Sequence, residues 1–282
     1  MFRRRSAEVR IEWYASIYYK FGNDDLKPTT MILRPTAPAL QRSAHIEDAW
    51  ATIERTQSVR CSECWMITQP AHSALAGEIA AQLAPEAFGP ISDDVVRAIA
   101  LHDAGWSAAD AAAIHASRNG GAMPESFITV SAAQTVAAWT GSVETALKLS
   151  ALGGYLVSSH FSRIARANNR LGPAAASFAA AEEKRRAALL PKLKLPPASL
   201  ERLVDAVQFC DLLSLYICCG LSTAVEFPQT LSGRKMRAEP LDEHELAFSP
   251  TPFAKRAVFQ VEALRHPRRA AENIATFNMA CG

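Results

Sequence analysis

Residues 92–105 read SDDVVRAIALHDAG, and this stretch decides the reading of the chain. Ser92 is a suitable N-cap, and Asp93 and Asp94 favour the positive end of a helix that begins there. Val95, Ile99 and His102 then fall on one 3.6-residue face, and Gly105 closes the segment. The inward face of this helix ends in an imidazole followed at once by the carboxylate of Asp103. The same pattern extends outward. In 71–84 (AHSALAGEIAAQLA), His72 shares a face with Leu75, Ile79 and Leu83. In 151–168, Leu156, His160 and Ile164 are spaced by four. In 198–219, Asp211 lies in a stripe with Leu200, Val204, Val207, Leu215 and Cys218. Segments 130–149 and 174–190 are also helical, the latter with a solvated face of Glu182, Glu183, Lys184, Arg185 and Arg186.

Around this helical block the character changes. Residues 1–60 carry ten Lys/Arg against seven Asp/Glu, with Pro28, Pro35 and Pro38 and a Tyr14, Tyr18, Tyr19 patch, and show no sustained period. They read as an extension of uncertain structure. After Gly220, Phe248–Phe253 (FSPTPF) is incompatible with helix, and 256–264 alternates weakly, as a strand does. The expectation is therefore an all-α fold. A helical metal-binding core would span 66–220, and a small β-containing tail, 221–282, would pack on it.

The chain has 282 residues, 49% of them hydrophobic and 21% charged, with a net charge of +2. That suits a soluble globular protein with a sizeable core. It gives no electrostatic case for nucleic acid or a membrane surface. No apolar run approaches the ~20 residues needed to cross a bilayer, and no secretory leader is evident. The six cysteines form no disulfide framework, and adjacent Cys218 and Cys219 read as buried hydrophobes. The compartment is expected to be reducing and cytoplasmic.

The polar residues within apolar stripes carry the chemistry. Any one buried histidine is more often a hydrogen-bonded core residue, and Asp211 alone could pair with Arg163 or Arg202. Together, however, His72, the His102-Asp103 pair, His160 and Asp211 face inward from four separate helices, and each group is costly to bury alone. Clustering around a divalent ion would partner all of them, and the mixed nitrogen and oxygen set suits zinc, manganese or iron. Gln69, one turn before His72, Trp106 beyond Gly105, and Ser214 one turn after Asp211 are candidates for a pocket wall. Arg163, one turn after His160, could neutralise a substrate anion or form a surface ion pair. Cys61 and Cys64 have zinc or redox spacing but no second pair. His115 precedes the turn expected at Asn119-Gly120-Gly121. No phosphate loop or dinucleotide fingerprint is present.

The ordered set His72, His102-Asp103, Asp211 resembles the HD metal-dependent phosphohydrolase superfamily. Residues 67–78 (ITQPAHSALAGE), 98–106 (AIALHDAGW), 155–161 (YLVSSHF), 208–216 (QFCDLLSLY) and 248–253 narrow the resemblance to an HD-related bacterial family, domain of unknown function 3891. The resemblance covers about residues 66–280. It implies an HD-like helical bundle, with metal ligands at His72, His102, Asp103 and Asp211. His160 matches the family's extra histidine. Ala104 departs from the pattern, which carries a second acidic residue there.

Three functions follow as expectations. The first is a divalent-metal-dependent hydrolase of a phosphoester on a small anionic substrate, with Asp103, His160 and Arg163 in catalytic roles. The second is an HD-type di-iron oxygenase. The third is a catalytically degraded ligand-binding or interaction module.

Overall fold

Residues 197–219 are apolar almost all round, and such a helix must lie inside the protein. A computed structural model describes residues 30–36, 46–59, 62–118, 123–269 and 273–282. In it this segment is the central helix of the molecule, and every residue from Phe209 to Cys219 except Leu212 is buried. Proline at its first position and Gly220 in the left-handed region (φ 66°) set its ends. The Gly220 N–H bonds the Ile217 carbonyl, and the Leu221 N–H that of Tyr216.

The elements in chain order are β1 (Thr30–Pro35), β2 (Glu47–Asp48), α1 (Ala49–Ser58), β3 (Cys64–Ile67), α2 (Gln69–Ala80), α3 (Pro85–Phe88), α4 (Asp93–Ala100), α5 (Ser107–Arg118) and β4 (Glu125–Ser126). They continue with α6 (Ala132–Leu149), α7 (Ala151–Ala167), α8 (Gly172–Leu189), the central helix α9 (Pro197–Cys219), β5 (Val225–Leu231), β6 (Arg234–Pro240), β7 (Glu245–Ser249), β8 (Ala257–His266) and β9 (Ile274–Cys281). The helices expected over 71–84, 130–149, 151–168, 174–190 and 198–219 are present as α2, α6, α7, α8 and α9, and the one expected over 92–104 is present as α4 but ends at Ala100, which leaves His102 and Asp103 in the turn beyond it. Ser92, Ser131 and Ser150 cap α4, α6 and α7 through their hydroxyls.

The all-α expectation is overturned by the sheet. Nine strands form one mixed sheet in the order β2-β5-β6-β7-β9-β8-β3-β1-β4. The fold is α/β rather than a helical bundle with a small tail. Strand β1 pairs antiparallel with β3, Ile32 opposite Ile67, and β3 pairs antiparallel with β8, Met66 opposite Leu264. The longest ladder joins β8 to β9, from Ala257–Cys281 to Leu264–Ile274. Chain on either side of the helical block therefore builds a common sheet, and one core runs from Ile32 through α2, α9 and β5 to Cys281. The first and third strands were illegible by periodicity because TMILRP and CWMI are short apolar runs without alternation. In β6, the charged text RKMRAEP hides an alternation in which only Met236 and Ala238 are buried. Tyr14, Tyr18, Tyr19, Pro28, Pro38, Cys61 and the Asn119-Gly120-Gly121 turn lie outside the described residues.

Sheet and helices are fastened at the end of α9. The Arg34 guanidinium, on β1, donates to the Ile217 carbonyl at 2.7 Å and lies 3.8 Å from the centre of the Phe277 ring. At the other side of the core, the turn after α4 lies against α6. The Gly105 N–H bonds Ser142 Oγ at 3.0 Å, and a β-carbon on Gly105 would stand 1.9 Å from the Ala138 carbonyl oxygen. Only glycine permits that approach. Gly105→Ala is expected to cost about 1–3 kcal/mol or more by overpacking. Urea unfolding measures this, and unchanged stability would contradict the described approach of the turn to α6.

Candidate metal centre

Five elements carry the site. Helix α2 contributes His72 and Ser73, the turn following α4 contributes His102 and Asp103, α5 contributes Asp110, α7 contributes His160, and α9 contributes Asp211 and Ser214. His72 and His102 are fully buried, and Asp103 and Asp211 nearly so. One ligand atom from each of His72, His102, Asp103 and Asp211 lies within 4.8 Å of all the others.

The hydrogen bonds fix which ring nitrogens face the cluster. His102 Nδ1 is 2.7 Å from the Ile99 carbonyl oxygen, which can only accept, so Nδ1 carries a proton. The Ser214 hydroxyl donates to the Asp211 backbone carbonyl at 2.9 Å and so accepts from His72 Nδ1 at 2.7 Å. Both neutral rings thus aim a bare Nε2 lone pair inward. His72 Nε2 meets Asp103 Oδ2 at 2.9 Å and Asp211 Oδ1 at 3.4 Å. His102 Nε2 meets Asp211 Oδ1 at 3.2 Å and Asp103 Oδ2 at 3.6 Å. Lone pairs and carboxylates facing one another repel unless a cation stands between them. These separations are close to the ~3–3.5 Å kept by neighbouring ligands of one small divalent ion. The donor set and its supports, a serine and a backbone carbonyl behind the histidines, therefore fit a divalent metal ion.

In the metal-free protein a proton supplies part of that cation. Burial disfavours a charged His102 ring, but the Asp103 charge and the Asp211 hydrogen bond outweigh it and hold the group up at about 9. Burial also disfavours ionised Asp211, yet the His102 bond and the nearby imidazoles hold it down at about 2. His160 lies beside the four. Its Nε2 is 3.7 Å from Asp211 Oδ2 and its ring centre is 5.4 Å from that of His102. Burial pushes it down to about 4, so it is neutral, and its buried Nδ1 has no hydrogen-bond partner among the described residues.

The other expected residues are placed differently. Gln69 is buried at the start of α2 and reaches the site through its backbone, donating to Asp110 Oδ2 at 2.6 Å. Trp106 is buried in the single 3-10 turn Ala104–Trp106 that follows Asp103. Arg163 is not joined to the cluster. Its guanidinium bonds Asp205 and Gln208, each at 2.6 Å, and pairs with Glu201, all on α9. His115 is exposed on α5, and Cys64 is buried in β3.

Sequence reasoning missed Asp110. It is 2% exposed, and its Oδ1 is buried without a partner among the described residues. Burial raises its carboxyl well above the usual range; the Gln69 N–H opposes this, and the Asp103 charge adds to it. The available signal was that Asp110 shares a helical face with Ala113, Ile114 and Ser117, partly hidden by the alanine-rich text around it.

The fold and cluster define an α/β protein with a buried His/Asp centre that could hold a metal ion. Residues 56–265 match the family described as "Protein of unknown function (DUF3891)", and the chain belongs to that family. No curated protein and no solved structure matches it.

A metal entering this centre must displace the extra proton of His102. Below about pH 9 its apparent affinity is expected to rise about tenfold per pH unit, with one proton released per ion bound. Calorimetry in buffers of different ionisation enthalpy measures both. Affinity independent of pH between 6 and 8 would contradict the described protonation.

Proposed function

We propose that this protein is a divalent-metal-dependent hydrolase of phosphoesters, of the HD-like kind, acting on a small anionic substrate in the cytoplasm. The observation that carries the reading is the convergence of His72, His102, Asp103 and Asp211, each with a ligand atom within 4.8 Å of the rest. Their order along the chain, a histidine, a His-Asp pair and a distant aspartate, supports the HD-like assignment. Cys210, Cys218, Cys219 and Cys281 are buried free thiols, in keeping with a reducing compartment. No helix among the described residues is long and apolar enough to cross a membrane.

Such a metal would lower the pKa of a bound water and polarise the phosphoryl oxygen. The remaining work falls to the chain. His72 and His102 are held in the ligating tautomer by Ser214 and the Ile99 carbonyl. Ser73 ties the two motifs together: its hydroxyl donates to the Ile99 carbonyl and accepts the Asp103 N–H, each at 3.3 Å. Neutral His160 offers a lone pair or an N–H at the edge of the centre. Asp110 replaces the acidic residue absent at Ala104 as a buried carboxyl near Asp103. Its role in this reading is to hold a proton at Oδ1 and pass it to the departing alkoxide. Arg163 has no part, because α9 carboxylates already engage it.

Purified protein is expected to contain near-stoichiometric metal, absent from the His102→Ala/Asp103→Ala double variant, and to hydrolyse members of a phosphoester panel with Mn²⁺, Fe²⁺, Zn²⁺ or Mg²⁺. Bound metal without turnover on any ester would refute the hydrolase reading while leaving the centre standing. Asp110→Asn keeps an acceptor for the Gln69 N–H, so it is expected to bind metal normally while losing about 10²–10⁴ of the rate. Loss of metal together with rate would instead make Asp110 a support of the ligands.

A further inference from the structure

A cleft of about 330 Å³ opens between α5, β3 and the β8–β9 ladder, and none of the candidate metal ligands lines it. Its apolar wall is Met66, Ile114, Leu264 and Ile274, and its polar side is Ser117, Arg265, Arg268 and Asn273. Ile274, at its mouth, is 55% exposed.

The charges at this corner do not balance. Glu63 is the carboxylate bonded by both Arg265 and Arg269, at 3.0 Å and 2.7 Å. Arg268, between them on the chain, is exposed and has no partner among the described residues. Arg265 is held over the Trp65 ring, 5.4 Å from its centre, and its Nε is buried without a hydrogen-bond acceptor. A guanidinium N–H without an acceptor is costly, so a small shift of Arg265 toward an incoming oxyanion would be favoured. Deeper in, Ser117 Oγ lies 2.7 Å from His266 Nδ1. When that nitrogen carries the proton, the serine oxygen accepts it and the hydroxyl hydrogen is free to donate into the cleft.

We propose that this cleft is a binding site for a small amphipathic anion: one oxyanion head, carboxylate or phosphoryl, on a short aliphatic or aromatic body. Arg268 and Arg265 take the head, with Ser117 and Asn273 as neutral donors. Met66, Ile114, Leu264 and Ile274 take the body. The volume is at the lower end of small-molecule sites, which suits a single-headed ligand and not a nucleotide or a chain. Ser117 lies two turns beyond Asp110 on α5, about 10 Å along the helix, so the cleft and the metal centre share a supporting helix while remaining separate sites.

The test is calorimetric titration of the purified full-length protein with phenylphosphonate, inorganic phosphate and benzyl alcohol. The variants are Arg268→Ala, Arg268→Lys, and the His102→Ala/Asp103→Ala double variant. Phenylphosphonate is expected to bind the wild-type protein at least tenfold more tightly than either partial ligand. Arg268→Ala is expected to weaken it about tenfold, Arg268→Lys less, and the double variant not at all. Arg268 is exposed, so the folded state should survive its replacement, as melting temperature will verify. Binding lost in the double variant but kept in Arg268→Ala would move the ligand to the metal centre and overturn the proposal. Inorganic phosphate binding equally tightly, or no phenylphosphonate binding at millimolar concentration, would overturn it too. None of these results bears on whether the metal centre hydrolyses esters.

Discussion

Two imidazole lone pairs held against two carboxylates are the constraint around which this protein is organised. Each is an acceptor, and each is buried. The chain stabilises the arrangement from outside. Ser214 and the Ile99 carbonyl fix the outward nitrogens of the rings, and Ser73 binds the His102-Asp103 backbone to α2. The close seating of Gly105 on α6 holds that turn in place. What remains inside is a demand for positive charge that a proton meets in part and a divalent ion meets better. The site is thus defined by the cation it lacks partners without.

The candidate centre was legible in the sequence because it violates the pattern that surrounds it. His72, His102 and Asp211 interrupt apolar stripes whose period is unmistakable, and Asp103 follows His102 directly. Arg163 and Asp110 show where that method stops. Arg163 has the right spacing after His160, but a long side chain reaches whichever acceptors are nearest, and α9 presents Glu201, Asp205 and Gln208. Asp110 sits among alanines, which mark neither face strongly, so its burial depends on how α5 packs and not on its own neighbours.

The fold was legible only in its helices. A helix of eighteen residues, such as α6, repeats its apolar face several times; β1 and β3 have six and four residues and repeat nothing. Their place in the sheet is decided by partners far along the chain, with β3 lying between β1 and β8. Apolar text from residues 30–35 and 64–67 thus became two neighbouring strands near one end of a common sheet, and the expected helical bundle gave way to an α/β fold.

Helix α9 joins the metal centre to the sheet. It is the axis of the hydrophobic core, it carries Asp211 near its middle, and Arg34 of β1 grips its end. Its carboxylate still meets solvent along one edge, 11% of the side chain, whereas the His72 ring opposite is sealed in the core. A captured ion would therefore pass through that carboxylate edge, and its release would be slowed by how firmly the core keeps the imidazoles from turning away. Its residence time would report the grip of the core on those rings, and exchange of one isotope of the metal for another would serve as a clock for their release.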